Sequence, residues 1–556
     1  MSVRGISKFD YNPFATWTFW VGSSTIASVL LNIYAPRYTV AQSLKWTAVA
    51  LFLWQWLVYL TYTIVIYPRY VSPLRHLPEP GNNAFFMGQW SKIIREPSGI
   101  PARQWINEIP NDGLIRYRHI FNRDRLLVTS PKALAEVLVT KSYDFVKPDF
   151  VQTGIGRILG IGVLFAEGDE HKRQRKALTP AFSFRHIKQL YPIFWNKSVE
   201  MTDGIVSESL GSEKPADLSS ASAIEIGEWA SRATLDIIGV AGLGQDFNSI
   251  DNPNTDLNRI YRSIFSPSRT GQILGLLQLF IPAFIVQNLP IKRNDDVHAA
   301  SRVARETSMR LIEEKKRALA AKQELPPDII SIALESGEFT NEKLVDNMMT
   351  FLAAGHETTA SALTWALYLM CKVPGTQEKL RAEVRRHIPE PSSQIVSTEI
   401  IDNMPYLHAV CNETLRLYAP VPLTLRDTPA PTTILGQYVP RGTKIIISPW
   451  AVNYSKELWG EDAEEFKPER WMAPGQANAG GASSNYSFLT FLHGPRSCIG
   501  ERFAKAELAA LLGAFVGRFE FEMKNPEELE RIQIKGGVTA RPKDGLWLRV
   551  REVGGW

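Results

Sequence analysis

The chain has 556 residues, 45% hydrophobic and 21% charged, which describes an ordinary globular protein with a sizeable core. The formal net charge of +5 comes without any basic block, so the sequence argues against nucleic-acid binding. Three cysteines (Cys371, Cys411 and Cys498) exclude a disulfide framework in so long a chain and indicate a reducing compartment.

Two uncharged apolar runs, residues 14–34 and 46–67, come first. Each is long enough to cross a bilayer, which needs about 20 residues, and neither resembles a cleaved signal peptide. The second has Trp and Tyr at both ends, as an interfacial belt requires. The first also contains Ser, Thr and Asn, so it spans, lies in the interface or packs on its neighbour. We expect residues 1–67 to form a membrane anchor of one or two helices, the alternative being two buried core helices.

The charges around these runs predict the orientation of the anchor. Arg69, Arg75 and Lys92 follow the second run, and the positive-inside rule therefore places the rest of the chain in the cytosol. Arg37 and Lys45 lie between the runs and argue mildly against a hairpin that would put them on the lumenal side.

Residues 68–81 are rich in proline, which restricts its own backbone and that of the preceding residue. This segment predicts a stiff hinge before a large domain at 82–556. The domain reads as mainly α with a smaller β region: strands from about Gly113, a hairpin within 434–448, and a β region after a helix at 503–519.

A strongly basic helix is predicted within residues 168–182. His171 and Arg175 lie one turn apart on it and share a face. Lys172, Arg173 and Lys176 fit a solvated face that could meet an acidic partner.

A long apolar helix is predicted at 340–372, with A-A-G-H-E-T-T at 353–359. An acid and a hydroxyl, Glu357 and Thr358, are costly there unless they have partners or chemical work. Thr358 is expected to bond back to a carbonyl in the preceding turn. Gly355 removes a side chain where a flat ligand could approach.

Glu413 and Arg416 share a helical face and can pair. Such a pair on the surface would be common and nearly without effect on stability. Arg470, in F-K-P-E-R-W, could join them as a buried partner.

The segment F-L-H-G-P-R-S-C-I-G, 491–500, places Cys498 in a turn ahead of an apolar helix. Gly494 and Gly500 would permit backbone conformations closed to other residues, and backbone N–H groups could keep the sulfur unprotonated. Arg496 offers a cation for a nearby carboxylate. The alternative is a buried structural cysteine.

The last segment matches F-x-x-G-x-R-x-C-x-G at Phe491, Gly494, Arg496, Cys498 and Gly500, and so resembles the haem-binding signature of the cytochrome P450 family. The 353–359 motif is similar to that family's oxygen-activation motif, and the Glu413, Arg416 and Arg470 set to its structural triad. The resemblance covers about residues 75–550. One departure is His171, where the family usually has Trp in W-x-x-x-R.

The resemblance implies a cytochrome P450 fold that binds haem b, with Cys498 as the axial ligand of the iron. Its haem-binding residues would be Phe491 of the signature and the propionate contacts Arg175, His171, Arg426 and Arg496. Glu357 and Thr358 would manage protons in catalysis, whereas Glu413, Arg416 and Arg470 would serve folding.

The implied activity is a monooxygenase that inserts one atom of O2 into a lipophilic substrate. Electrons would come from NADPH through NADPH-cytochrome P450 reductase, at the endoplasmic reticulum membrane with a cytosolic catalytic domain. The variant motifs resemble fungal members acting on terpenoids or polyketides in secondary metabolism. Alternatives are a fatty-acid or xenobiotic hydroxylase, a reductase-independent haem isomerase, and a non-catalytic haem binder or sensor.

Overall fold

The computed structural model describes residues 13–210, 217–253, 270, 273–274, 277, 281, 283–323, 327–391, 395–476, 479–535 and 537–556. Most of the described chain is helical, with small sheets, so the predicted class is confirmed. The chain divides into two compact units. The first comprises 1–77, 81–90 and 116–124, and the second 78–80, 91–115 and 125–556. Residues 252–291 are rich in Leu, Ile and Phe, and most of them lie outside the described residues.

The first unit contains two apolar helices, Pro13–Tyr34 and Leu44–Thr61, and the second of these continues as a π-helix, Tyr62–Val71. Within the described residues, one helix passes the length and composition test for crossing a membrane, Leu44–Val71. Residues 68–71, the first four of the predicted hinge, are therefore still helical. The wider π spacing accommodates Pro68, which has no N–H to donate and would clash in a regular α-helix.

The remaining described α-helices follow in chain order. They are Trp90–Arg95, Ile100–Glu108, Pro131–Ala135, Asp149–Leu159, Gly168–Leu178, Phe184–Ile205, Ile226–Ile237, Ala283–Gln287, Lys292–Ala320, Ile329–Glu335, Asn341–Lys372, Thr376–His387, Thr398–Asp402, Pro405–Leu417, Pro449–Val452, Lys456–Trp459 and Glu501–Arg518. Short π-helical segments extend three of them, at Glu136–Thr140, Val206–Leu210 and Ile238–Leu243.

The described strands form four small sheets. They are β1 Leu114–Arg118, β2 Asp124–Val128, β3 Ala223–Glu225, β4 Thr424–Asp427, β5 Thr432–Ile434, β6 Gln437–Val439, β7 Lys444–Ile447, β8 Phe519–Met523, β9 Ile534–Lys535, β10 Arg541–Pro542 and β11 Trp547–Glu552. The sheet orders are β1-β2-β7-β4, β3-β11-β8, β5-β6 and β9-β10.

The hairpin predicted within 434–448 is only partly right. β5 and β6 do pair, but β7 leaves them and lies between β2, to which it is parallel, and β4, to which it is antiparallel. Its three isoleucines, 445–447, are buried, and a strand buried on both faces belongs inside a sheet.

The long helix Asn341–Lys372 runs through the main core. Thr340 caps its start by accepting a hydrogen bond from the Lys343 N–H at 3.3 Å. The helix packs against Ile226–Ile237, Lys292–Ala320 and Glu501–Arg518, so it is apolar nearly all round. The 353–359 motif and the helix that follows Cys498 therefore belong to one packed core.

Candidate active site

The loop before Glu501–Arg518 closes on itself around Cys498. The Cys498 N–H donates to the Phe491 carbonyl at 2.8 Å. Gly494 has φ +77°, and a Cβ there would lie 2.2 Å from the Leu138 carbonyl oxygen, so no other residue fits. Gly500 has an ordinary φ of −92°, and its nearest foreign atom would lie 3.7 Å from a Cβ. The prediction that Gly500 needs a special conformation is therefore wrong.

Protein surrounds the Cys498 sulfur, yet the residue retains exposed surface. Burial raises the pKa of the thiol to about 11, although the Gly500 N–H and the Arg175 charge act in the opposite direction. In the chain without a bound metal, burial outweighs the backbone N–H and the Arg175 charge that favour the unprotonated sulfur. A bound cation would reverse this balance, since a metal deprotonates a coordinating thiol outright.

At the 353–359 motif, one residue of the otherwise mostly buried long helix is accessible. Ala354 is exposed although the helix is buried on both sides of 354–358. The Thr358 hydroxyl donates to the Ala354 carbonyl at 2.7 Å, which is the expected back-bond. Gly355 instead packs on Ile238, whose Cγ1 would lie 3.0 Å from an added Cβ. The expected ligand approach at Gly355 is wrong, and the accessible position is Ala354.

The carboxylate of Glu357 is held by the C-terminal β region. Its Oε1 accepts from the Thr539 hydroxyl at 2.7 Å, and its Oε2 lies 2.8 Å from Nη2 of Arg541. The same Nη2 lies 3.3 Å from the Glu357 carbonyl oxygen. Glu357 therefore stays inside the protein with two partners, as a buried acid requires.

A cluster of basic side chains from four separate segments lies near the Cys498 loop. Its members influence one another electrostatically around a single acid, and they are Lys147, His171, Arg175, Arg426, Arg496 and Glu167. Arg496 forms an ion pair with Glu167 and lies over the Tyr143 ring. Its Nε and Nη1 are buried and have no hydrogen-bond partner among the described residues. Buried donors of this kind call for an acceptor from outside the chain.

The cluster carries excess positive charge, which contributes to lowering the pKa values of its basic members. Burial, then Arg426 and Arg496, lower the pKa of Lys147 to about 7 against the opposing Glu167. Burial, then Arg496, lower the pKa of Arg426 to about 10. Burial, then Arg496 and Lys147, lower the pKa of His171 to about 4, so His171 is neutral at neutral pH. An anion placed among these groups would relieve the repulsion.

The other predicted haem-binding side chains make anchoring hydrogen bonds. Arg175 donates to the Ser497 carbonyl from Nη1 at 2.6 Å and to its hydroxyl from Nη2 at 3.4 Å. Arg426 donates from Nη1 to the Thr424 hydroxyl at 3.0 Å. The neutral His171 shares a 3.1 Å hydrogen bond between its Nδ1 and the Tyr143 hydroxyl. Each guanidinium has five N–H donors, so capacity for an anion remains.

Glu413 lies at the centre of a buried network. Its two oxygens accept from Nη2 and Nε of Arg416 at 2.8 Å each and from Nε of Arg470 at 2.9 Å. Trp471 Nε1 and the Lys467 N–H complete the set at 2.9 and 3.0 Å. Glu413 and Arg416 are fully buried, so they do not form the exposed, weakly stabilising pair that the local sequence alone would suggest.

Sequence reasoning missed five residues: Tyr143, Lys147, Glu167, Thr539 and Arg541. Four of them meet the site only through tertiary contacts, and Thr539 and Arg541 lie more than 180 positions from Glu357. Glu167 directly precedes the basic helix, and its carbonyl accepts from the His171 N–H at 3.2 Å. Lys147 gives a local signal as a lone lysine between apolar residues and Pro148.

The residues present fit haem. Cys498 supplies a single accessible sulfur, as a thiolate ligand of haem iron requires. The basic cluster, with the unpartnered donors of Arg496, fits the two carboxylates of the haem propionates. The opening at Ala354 on the long helix fits the face of a flat group.

Comparisons with known proteins agree with this arrangement. The sequence model of the family described as Cytochrome P450 matches residues 78–549. "Cytochrome P450 monooxygenase sphH" of Aspergillus fumigatus is 46% identical over 511 residues, covering 89% of this chain and 92% of that one. "Cytochrome P450 monooxygenase ALT8" of Alternaria alternata is 43% identical, covering 88% and 92%. "Cytochrome P450 monooxygenase FUM15" of Gibberella moniliformis is 40% identical, covering 97% of each chain. The chain therefore belongs to the cytochrome P450 family and is a haem-dependent monooxygenase.

Proposed function

We propose that this monooxygenase acts at the endoplasmic reticulum membrane with its catalytic unit in the cytosol. It receives electrons from NADPH through NADPH-cytochrome P450 reductase and oxidises a lipophilic substrate, a terpenoid or polyketide of fungal secondary metabolism. One observation carries the catalytic part of this proposal: the accessible Cys498 lies beside a basic cluster with unpartnered donors. The fungal origin of the monooxygenases sphH, ALT8 and FUM15 supports the metabolic part.

Each residue of the site has a role that its contacts support. Cys498 would bind the haem iron through its sulfur, and the Phe491 carbonyl holds its loop by accepting from the Cys498 N–H. Arg175, Arg426 and Arg496 would hold the propionates as charged donors. His171 contributes as a neutral group, because its lowered pKa of about 4 leaves it uncharged at neutral pH.

Haem, when bound, supplies the iron at which O2 is activated so that one oxygen atom can enter the substrate. Glu357 and Thr358 would form a route for the protons that this chemistry consumes. Arg541 and Thr539 fix the Glu357 carboxylate at one end of the route. The Thr358 hydroxyl, anchored on the Ala354 carbonyl, stands at the exposed end.

The decisive experiment uses membranes that contain the full chain and a reductase, incubated with candidate lipophilic compounds, with and without NADPH. NADPH-dependent products one oxygen atom heavier, identified by mass, support the proposal. Cys498→Ser should abolish both product and the thiolate-type absorption band of the reduced, carbon monoxide-bound protein. Cys371→Ser, a half-buried cysteine away from the loop, is the matched control and should keep both. Products of unchanged mass without NADPH would instead identify an isomerase.

A further inference from the structure

The first helix, Pro13–Tyr34, has the dimensions of a membrane span. Its 22 residues include no charged side chain. At a rise of 1.5 Å per residue it is about 33 Å long, which matches a hydrocarbon core of about 30 Å. Length and charge therefore permit a second crossing beside Leu44–Val71.

Its most buried side chains are serines, whereas its exposed side chains are mostly large apolar groups together with Thr18, Thr25 and Asn32. The exposed face carries large apolar groups, namely Phe19, Val21, Ile26, Val29, Leu30 and Ile33. Ser24 and Ser28 are buried against the second helix. A helix that keeps serines inside and phenylalanine and isoleucine outside has the polarity that hydrocarbon, rather than water, stabilises.

The inner face forms a satisfied polar seam with the second helix. The hydroxyls of Ser23 and Ser24 both lie within hydrogen-bond distance of Oε1 of Gln55, at 3.1 and 3.3 Å. Ser28 donates to the Leu44 carbonyl at 2.7 Å. Hydrogen bonds between small side chains and one amide are a recognised way in which membrane helices associate. Gln55, the polar residue in the middle of the second helix, therefore has its partner on the first.

The turn between the helices is short and ordered. It consists of two 3-10 turns, Pro36–Tyr38 and Val40–Gln42, and the Val40 N–H donates to the Thr47 hydroxyl at 2.9 Å. Exposed aromatic side chains, Tyr34, Tyr38 and Trp46, gather at this end, where an interfacial belt would place them. Arg37 lies over the Tyr38 ring at 4.8 Å, so its charge can stay at the interface.

We propose that residues 13–71 form a membrane-spanning helical hairpin. Both helices cross the bilayer, so Pro13 and Val71 lie on the same side and the turn at 35–43 lies on the other. This arrangement goes beyond the proposed function, which requires only one crossing.

The side on which Pro13 lies tests the proposal. A peptide that carries an N-glycosylation acceptor is fused ahead of Pro13 in the full chain, which is then inserted into endoplasmic reticulum microsomes. The hairpin predicts an unglycosylated tag that an added protease removes. In the matched control, which lacks residues 13–34, the same tag precedes the second helix alone and should become glycosylated. Glycosylation in the full chain would overturn the proposal, and so would an unglycosylated control.

Cross-linking tests the seam itself. Ser24→Cys combined with Gln55→Cys places two thiols where the hydrogen-bonded oxygens now lie 3.3 Å apart. Thr25→Cys with Gln55→Cys is the matched control, because the neighbouring Thr25 bonds within its own helix and is exposed. Mild oxidation in membranes should cross-link the first pair at least about tenfold faster, measured by the loss of maleimide-reactive thiols. Equal rates would contradict the hairpin.

Discussion

Nη2 of Arg541 lies 2.8 Å from Oε2 of Glu357, although 184 residues separate the two in the chain. The contact joins the centre of the long helix to β10. Thr539, between β9 and β10, holds the other oxygen of the same carboxylate at 2.7 Å. Glu357, the acid of the 353–359 motif, is therefore positioned by a segment more than 180 residues away in sequence.

Removing the Arg541 charge should misplace Glu357. In Arg541→Gln the carboxylate keeps Thr539 and the more distant His356 ring, at 3.9 Å, and can rotate away from the proton route. We expect product formed per NADPH consumed to fall by about tenfold. Losing a proton-transfer group altogether should cost about 100-fold or more. The measurement is product formed per NADPH consumed. Arg549→Gln, which loses only a 3.6 Å surface pair with Glu522, should leave that ratio unchanged.

Lys147 should contribute to haem retention. Bound propionates favour its charged form, whereas the chain alone lowers its pKa to about 7. Lys147→Met should therefore speed haem transfer to an acceptor protein by about tenfold, equivalent to about 1.4 kcal/mol. Lys176→Met removes an exposed charge from the basic helix and is the control. Equal transfer rates for the two variants would exclude Lys147 from the propionate site.

Glu413 should be required for folding rather than turnover. Glu413→Gln leaves Arg416 and Arg470 without their buried counter-charge, which typically costs about 3–5 kcal/mol. We expect little soluble, haem-loaded protein, measured as the yield of thiolate-type carbon monoxide complex. Glu464→Gln, which removes a largely exposed partner of Arg103, should give a normal yield. A normal yield from Glu413→Gln would contradict the structural role.

Glu507 predicts a pH dependence of stability. It is fully buried on Glu501–Arg518, and burial raises its pKa well above the ordinary 4.5, opposed only by Thr359. The folded chain thus keeps Glu507 protonated while the unfolded chain releases the proton above about pH 4.5. The contribution of Glu507 to the free energy of unfolding is complete at low pH. It falls as pH rises, by up to about 1.4 kcal/mol per pH unit.

The Glu507→Gln variant isolates this effect, since its amide does not titrate. Its thermal midpoint should match the native protein near pH 5 and exceed it increasingly towards pH 8. Parallel midpoints across that range would show that Glu507 is ionised in the folded chain.

Elements with a local pattern could be predicted from the sequence. The long helix begins one residue after the predicted position and ends where predicted, because a capping Thr340 and an unbroken apolar pattern mark it. The strands expected from about Gly113 are present for the same reason: β1 ends before residue 122 and β2 begins after it. The Cys498 loop was recognisable because its residues are contiguous.

Features that depend on distant partners could not be predicted. The pairing of β7 with β2 requires strands more than 300 residues apart to meet. Gly355 faces Ile238 rather than a ligand, which depends on how two helices pack. The raised pKa of Cys498 reflects burial, and no local motif encodes burial.

The approach of Gly494 to Leu138 has a consequence for protein engineering. A carbonyl from the π-helical segment Glu136–Thr140 occupies the space where a side chain on residue 494 would begin. Grafting a segment of different length between Pro131 and Thr140 would therefore move the ligand sulfur, even though no residue of the signature had been altered.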